Sequence, residues 1–451
     1  MLSMKTKFTP TLYTTLILLS VFFTSCSREQ KEIEISSDQY HATVDHLTQI
    51  MIHDVFSPPV ASRIYVYPNI AAYEALNSGS SKYKSLSNQL TNLNLSDFDS
   101  NNKSNKRLAS LIAYMDVAKE LIFSKEKLTS YRDSLYGVWN KLNSQSFDDS
   151  KKQGLHYSSQ IIQWMNNDNY AQTRTMPEHN ILSDDPSQWK PTPPSYMDAI
   201  EPHWNKIRTF ALDSASQFKP KSHPTFSLEK NSDFHKELME VYNVTKDINE
   251  KGDTSEEIAI ARFWDCNPYV SVTRGHFMFA SKKITPGAHW IGICKIACKQ
   301  TNSNFEETVH AYTKTSISIA DAFISCWDEK YRSNLVRPET LINKYLDETW
   351  EPVLQTPPFP EYTSGHSVVS GAASETLTNI FGDNFQFDDT TELPYGLPVR
   401  KFSSFRNAAK EAAVSRLYGG IHYRSAIDLG LTQGQNVFKK HNESISYFLS
   451  K

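Results

Sequence analysis

Three short stretches near the C-terminus carry the residues best suited to chemistry. They are Lys330-Tyr331-Arg332-Ser333-Asn334-Leu335-Val336-Arg337-Pro338, Thr363-Ser364-Gly365-His366 and Ser415-Arg416-Leu417-Tyr418-Gly419-Gly420-Ile421-His422. Together they supply three cations, Lys330, Arg337 and Arg416, a Ser364-Gly365 turn and two histidines, His366 and His422. A guanidinium presents a planar fork to an oxyanion, and an ammonium adds a point charge with rotatable donors. Histidine titrates near neutrality and suits proton traffic. The inventory describes a cage for a tetrahedral oxyanion.

Each stretch must be placed by its neighbours. Lys330 and Arg337 are seven apart, so on one helix they share a face, and Pro338 argues against that helix continuing. Pro357-Pro358-Phe359-Pro360 is rigid and non-helical, whereas Val368–Phe381 reads as helix. Ser364-Gly365 therefore falls at a helix N-terminus, where free N–H groups and the dipole favour an anion. Asn407–Leu417 reads as an alanine-rich helix stopped by Gly419-Gly420, with Arg416 in its last turn and His422 just beyond. Singly, each has a plain structural explanation: a solvated cation, an N-cap, a dipole-complementing arginine, a turn histidine.

The rest of the chain reads as scaffold and export device. Lys5 and Lys7 precede an apolar run, Leu12–Phe23, too short for a comfortable membrane span. It ends in Phe23-Thr24-Ser25-Cys26, which resembles a bacterial lipobox, so residues 1–26 are expected to be a signal peptide and Cys26 a lipid anchor. Phe23 departs from the usual aliphatic residue there. Residues 27–39 read as a polar tether. The expected location is periplasmic or anchored at the outer membrane. Cys266, Cys294, Cys298 and Cys326 remain, and they read as buried or opportunistically paired thiols with no zinc-site spacing.

Helical periodicity begins near Tyr40. Pro58-Pro59 reads as a break, Pro68 as a kink or break in Ala61–Leu76, and Pro286-Gly287 as another break. Asn92–Lys103 reads as a surface loop, and Asp184–Pro224 as a long irregular segment, either functional or a surface wrap. Alternating strand patterns are rare. The expected fold is all-α, with residues 40–300 as an N-terminal helical region and 301–451 as a helical core around the site. A net charge of -3 offers no field for nucleic acid.

Lys-x6-Arg-Pro, Ser-Gly-His and Ser-Arg-x3-Gly-x-His, in that order, resemble the signature shared by vanadium-dependent haloperoxidases and the type 2 phosphatidic acid phosphatase superfamily. The resemblance is strong over the last third, and the full chain is similar to bacterial haloperoxidases. It implies that Lys330, Arg337, Ser364, Gly365 and Arg416 bind the equatorial oxygens of vanadate, that His422 is its axial ligand, and that His366 is the neighbouring acid–base group. Thr363 stands where many members have Pro. The implied reaction oxidises a halide ion with hydrogen peroxide to hypohalous acid, which halogenates small organic acceptors. Iodide is favoured and bromide second.

Tyr269, Trp327 and Phe359 are the candidates for the halide pocket. Phe359 looks like a position held by Phe in fungal chloroperoxidases and His in algal bromoperoxidases, and the other two look like pocket positions of bacterial iodide-oxidising enzymes. The alternative is an exported acid phosphatase with His422 as nucleophile and His366 as proton donor. Such phosphatases commonly carry an Asp four residues after the nucleophile; Ala426 stands there, with Asp428 the nearest Asp, which counts against this reading. A non-enzymatic glycan-binding lipoprotein would suit the aromatic content but leaves the motif spacing unexplained.

Overall fold

Polar caps ahead of apolar runs set out most of the architecture. The computed structural model describes residues 31–99, 104–182, 184–268, 271–274, 277–280 and 283–449. Helix α1 (Ser37–Asp54) starts where the Ser36 N–H donates to the Gln39 side chain. Helix α2 (Pro58–Asn77) starts at Ser57, with Pro58 and Pro59 in its first turn. Helices α3 (Lys106–Lys119), α4 (Lys125–Leu142) and α5 (Ser144–Asn166) follow. After a long irregular segment come α6 (Asp233–Lys251), α7 (Glu256–Phe263), α8 (Pro286–Gln300) and α9 (Phe305–Ser333). The last quarter holds α10 (Pro338–Tyr345), α11 (Gly365–Phe381), α12 (Phe405–Tyr418) and α13 (Arg424–Ser444).

Two small antiparallel hairpins and a few single-turn helices, among them Tyr170–Thr173 and Trp204–Lys206, lie between these helices. Strand β1 (Ser271–Arg274) pairs with β2 (Phe277–Ala280), and β3 (Phe387–Asp389) with β4 (Arg400–Phe402). The fold is all-α, as the periodicity predicts. Among the described residues no helix is long and apolar enough to cross a membrane.

Several local expectations give way to packing. The prolines expected as breaks at 58–59 and 286 are helix starters, because the first turn needs no N–H partner and already has the φ of proline. Pro68 does not interrupt α2, which is buried along nearly its whole length against α3 and α9. The segment expected as a tether is partly structural: Ile33 and Ile35 are buried in the core, and α1 begins at Ser37. The signal-peptide and lipobox residues, Cys26 included, lie outside the described residues, as does the end of the expected 92–103 loop. Cys266, Cys294, Cys298 and Cys326 are buried free thiols.

Helix α9 is the spine. Asn304 caps it in a reciprocal pair with Glu307, and Asn334, at φ 48°, ends it. It packs on α2, α8, α11 and α13. One apolar core runs from Ile33 to Tyr447, across the boundary drawn at residue 300. The irregular segment is tied to this spine. The buried Asp321 carboxylate accepts the N–H groups of Phe210, Ala211 and Leu212 at 2.7, 2.8 and 3.2 Å and pairs with His441 at 2.8 Å. Ile200 bridges to the functional region, since its carbonyl accepts from Trp327 Nε1 at 3.2 Å and its N–H donates to Pro358 O at 3.0 Å.

Helices α11 and α13 cross with their backbones nearly touching. A Cβ on Gly434 would lie 2.0 Å from the Val368 carbonyl oxygen, and one on Gly371 would lie 2.5 Å from that of Leu431. This crossing fixes the start of α11 beside the start of α13. Gly434→Ala is expected to destabilise the fold by about 3 kcal/mol, the upper range for overpacking a core. Denaturant unfolding checks this, and a change under about 0.5 kcal/mol, typical of surface substitutions, would mean the crossing is loose.

Candidate active site

Four elements deliver the side chains. Lys330 comes from the last turn of α9, Arg337 from the N-cap of α10, Ser364, Gly365 and His366 from the start of α11, and Arg416 from the last turn of α12. His422 sits in the turn between α12 and α13. Lys330 and Arg337 do not share one helix face as expected: α9 ends at Ser333, and a bend through Asn334 brings Arg337 back toward the same point. The bend is held from outside, by Trp189 N–H donating to Asn334 O (2.8 Å) and Val336 N–H to Ser187 O (2.9 Å).

None of the four expected charged or ligating side chains faces solvent. Lys330 and Arg337 are 0% exposed, Arg416 1% and His422 2%. Arg337 Nη1 lies 3.2 Å from His422 Nε2 and donates to Ile421 O at 2.8 Å, while its Nε donates to Phe359 O at 2.8 Å. Arg416 donates through Nη2 to Trp264 O (2.8 Å) and Ala261 O (3.2 Å). Lys330 Nζ donates to the carbonyls of Pro360, Glu361 and Thr363 at 3.0, 3.1 and 2.6 Å. An ammonium has three N–H groups, so all of Lys330's are engaged by main chain. Its ammonium and the Arg337 guanidinium flank the Phe359 ring at 5.0 and 5.1 Å.

Ser364 caps α11, its hydroxyl accepting the Ser367 N–H at 3.3 Å, and its own N–H donates to Ala426 O at 3.0 Å. Gly365 packs close to Trp327 and Lys330; an added Cβ would sit 3.5 Å from the indole and 3.9 Å from Lys330 Cε. His366 is half-buried and hydrogen-bonds the Trp264 main chain.

The sequence motifs omit Glu361. It is 0% exposed, and its Oε1 accepts from His422 Nδ1 at 2.8 Å and from the Tyr423 N–H at 2.9 Å. Arg337 has donors only, so the Nε2 it faces is unprotonated and Nδ1 carries the proton, leaving the Nε2 lone pair for a ligand that displaces Arg337. The only sequence signal was an acidic residue inside an otherwise apolar, proline-rich stretch. Its presence corrects one inference. The missing Asp at position 426 does not leave His422 unoriented, because a carboxylate from another segment takes that part.

The electrostatics are those of a site built for an anion. Burial pushes Lys330 down to about 7 and Arg337 down to about 10. Burial, then the charges of Arg337, Lys330 and Arg416, hold His422 well below its ordinary value; burial and Arg416 do the same to His366. Burial raises Glu361 to about 8. Arg337 Nη2 and His366 Nε2 are buried without a partner. An unsatisfied buried donor costs about 1–3 kcal/mol; a tetrahedral oxyanion would supply the acceptor missing at Arg337 Nη2, while neutral His366, donating its other ring N–H to the Trp264 main chain, offers Nε2 as a proton acceptor. The cage residues thus fit such a group.

Of the halide-pocket candidates, Trp327 and Phe359 are in ring contact at 5.0 Å beside Lys330. Tyr269 lies outside the described residues.

Fold and site together define an all-α protein with a buried cluster of one lysine, two arginines and two histidines that fits an oxyanion. Comparisons place it more closely. The VCPO second helical-bundle domain matches residues 310–450. A crystal structure of a bacterial vanadium-dependent iodoperoxidase is 58% identical, covers 94% of this chain and 100% of its own, and superposes with a TM-score of 0.90. The chain belongs to the vanadium-dependent haloperoxidase family and is an enzyme of that class. Holo and apo structures of a bacterial vanadium-dependent chloroperoxidase share the fold at 15% and 16% identity, with TM-scores of 0.66 and 0.65. They cover 92% and 86% of this chain, and 98% and 94% of their own. No curated protein sequence matches.

Proposed function

We propose that this enzyme uses vanadate to oxidise iodide, and bromide second, with hydrogen peroxide to hypohalous acid, which then halogenates small organic acceptors. The observation that carries the reading is the buried grouping of Arg337 Nη1 beside His422 Nε2, with Arg416 close enough to act electrostatically on both His366 and His422, and with Arg337 Nη2 and His366 Nε2 unpartnered. The iodoperoxidase identity of the 58% relative supports iodide. Family membership supports vanadate as cofactor, which acts there as a Lewis acid that activates hydrogen peroxide toward halide.

In this reading His422 ligates the group through Nε2, and Glu361 keeps that nitrogen deprotonated. Arg337, Arg416, the Ser364 hydroxyl and the Gly365 N–H bind its oxygens. Lys330 contributes charge where it stands; to donate directly it must release one of its three carbonyls. His366, neutral and half-buried, accepts or returns a proton at Nε2. Trp327 and Phe359, with Tyr269, form the halide pocket. The enzyme is exported, with Cys26 as a lipid anchor.

The test is peroxide-dependent triiodide formation by anion-stripped protein with and without added vanadate. Activity that appears only with vanadate supports the reading, and none under either condition sinks it. A second reading, hydrolysis of phosphate monoesters with His422 as nucleophile, is favoured by one observation, the Glu361 carboxylate on His422 Nδ1. Turnover of an aryl phosphate by vanadate-free protein would promote it.

Phe359→His is expected to shift the iodide-to-bromide rate ratio by about tenfold, the scale of one altered pocket contact, and to leave vanadate uptake nearly unchanged. Steady-state kinetics with each halide and a vanadate titration measure both. The opposite pattern would remove Phe359 from the pocket.

A further inference from the structure

Cys266, His289 and Glu392 meet in a second buried cluster, apart from the oxyanion cage. They are 1%, 1% and 4% exposed. Cys266 Sγ lies 3.4 Å from His289 Nδ1 and 4.0 Å from Glu392 Oε1, and His289 Nδ1 lies 3.4 Å from Glu392 Oε1. The three ligand atoms thus form a triangle.

The 3.4 Å His289–Glu392 edge is poor for a hydrogen bond, while the Cys266–His289 contact is of ordinary length for one to sulfur. A carboxylate meeting an N–H normally sits at about 2.7–2.9 Å, and a single Nδ1–H cannot point at a sulfur and an oxygen together. The three spacings together suit a shared ion better. Metal–ligand bonds of about 2.0–2.3 Å set the edges of a tetrahedron at roughly 3.3–3.7 Å. Two observed edges fall in that range, and the third is only slightly longer.

The outer partner is also in place. His289 Nε2 lies 2.9 Å from Asp389 Oδ2 and 2.8 Å from Thr391 Oγ1, and Asp389 is itself fixed by the Thr391 N–H at 3.0 Å. A carboxylate on the far nitrogen of a ligating histidine is the arrangement that fixes its tautomer and orientation in metal sites. The short, well-directed contact therefore lies on the ring's outer side, while the inner side faces the loose triangle.

We propose that Cys266, His289 and Glu392 bind a zinc ion, with a water as fourth ligand. The donor set is one thiolate, one imidazole and one carboxylate, a mixture zinc accepts. Zinc has no redox chemistry, which suits a protein whose proposed reaction handles peroxide.

The ion would also brace the oxyanion cage. Trp264 stacks on His289 at 4.4 Å and 17°, and the Cys266 N–H donates to Trp264 O at 2.9 Å. That same carbonyl holds Arg416. The zinc joins the segment after α7 to α8 and to the loop after β3, and so keeps the Arg416 acceptor in place.

The experiment is elemental analysis of the full enzyme purified from zinc-supplemented medium, with zinc K-edge absorption on the same sample. About one zinc per chain is expected, with one sulfur at about 2.3 Å and nitrogen or oxygen at about 2.0–2.1 Å. Chelation should lower the melting temperature, and added zinc chloride should restore it. Cys266→Ser and Glu392→Gln should each cut zinc content by about tenfold or more, the scale at which lost ligation exceeds lost outer support. Zinc below about a tenth of an equivalent in the wild-type enzyme, or a spectrum without sulfur, overturns the proposal even if neither variant folds.

Discussion

His422→Ala is expected to abolish vanadate binding as measured by calorimetric titration. The substitution removes an imidazole nitrogen that is held as a lone-pair donor from the far side of the ring, where Nδ1–H donates to Glu361. Losing an outer partner of a metal-bound histidine weakens binding by about 10–100-fold. Losing the ligand itself should exceed that. Arg337 and Arg416 stay, so weak phosphate binding should survive and shows that the cage is still assembled. His422→Gln preserves more volume and guards against collapse of a 2%-exposed position. Wild-type vanadate affinity in both variants would remove His422 from the residues that would hold vanadate.

Glu361→Ala is expected to weaken vanadate binding by about 10–100-fold, although Glu361 touches no oxyanion. The carboxylate positions His422 and holds the Tyr423 N–H. Alanine leaves two buried donors unpaired, at about 1–3 kcal/mol each. A histidine freed at Nδ1 can move its proton to Nε2, which blocks ligation. Glu361→Gln keeps an acceptor at the same place and should recover most of the affinity. Imidazole nitrogen NMR gives the readout that a merely structural role would not move. The wild type should show the Nδ1–H form, the glutamine variant the same, and the alanine variant a mixture. A wild-type tautomer with wild-type affinity in Glu361→Ala would sink the positioning role.

The contrast between His422 and Glu361 shows what the chain discloses before it folds. His422 belongs to a spaced motif, and its company of Arg416, Ser415 and Gly419 marks it. Glu361 acts through one contact to a residue 61 positions away and leaves no periodic trace. Helix placement was legible because apolar spacing and caps are local: α11 and α12 fall close to their expected ranges. Proline was placed only coarsely: the breaks before α2 and α8 are there, but Pro58, Pro59 and Pro286 belong to the first turns of the helices that follow, and Pro68 leaves α2 unbroken within its tertiary packing. The irregular stretch from 184 onward showed no periodicity, yet Asp321, Trp327 and Lys330's neighbours hold it firmly. Such anchoring uses main-chain N–H and C=O groups, which every residue has.

Two buried guanidiniums, beside a lysine whose charge burial disfavours, make the cage repel itself. Arg337 and Arg416 cannot shed their protons, so they remain in tension until a counter-ion arrives. Any oxyanion that enters then acts as a folding ligand as well as a cofactor. At a hundred times its dissociation constant it adds about 2.7 kcal/mol to the native state. The melting temperature should climb with the logarithm of vanadate or phosphate concentration, and refolding yields should depend on the buffer anion. The inorganic supply of the compartment would then govern how long each molecule survives, not only how fast it turns over.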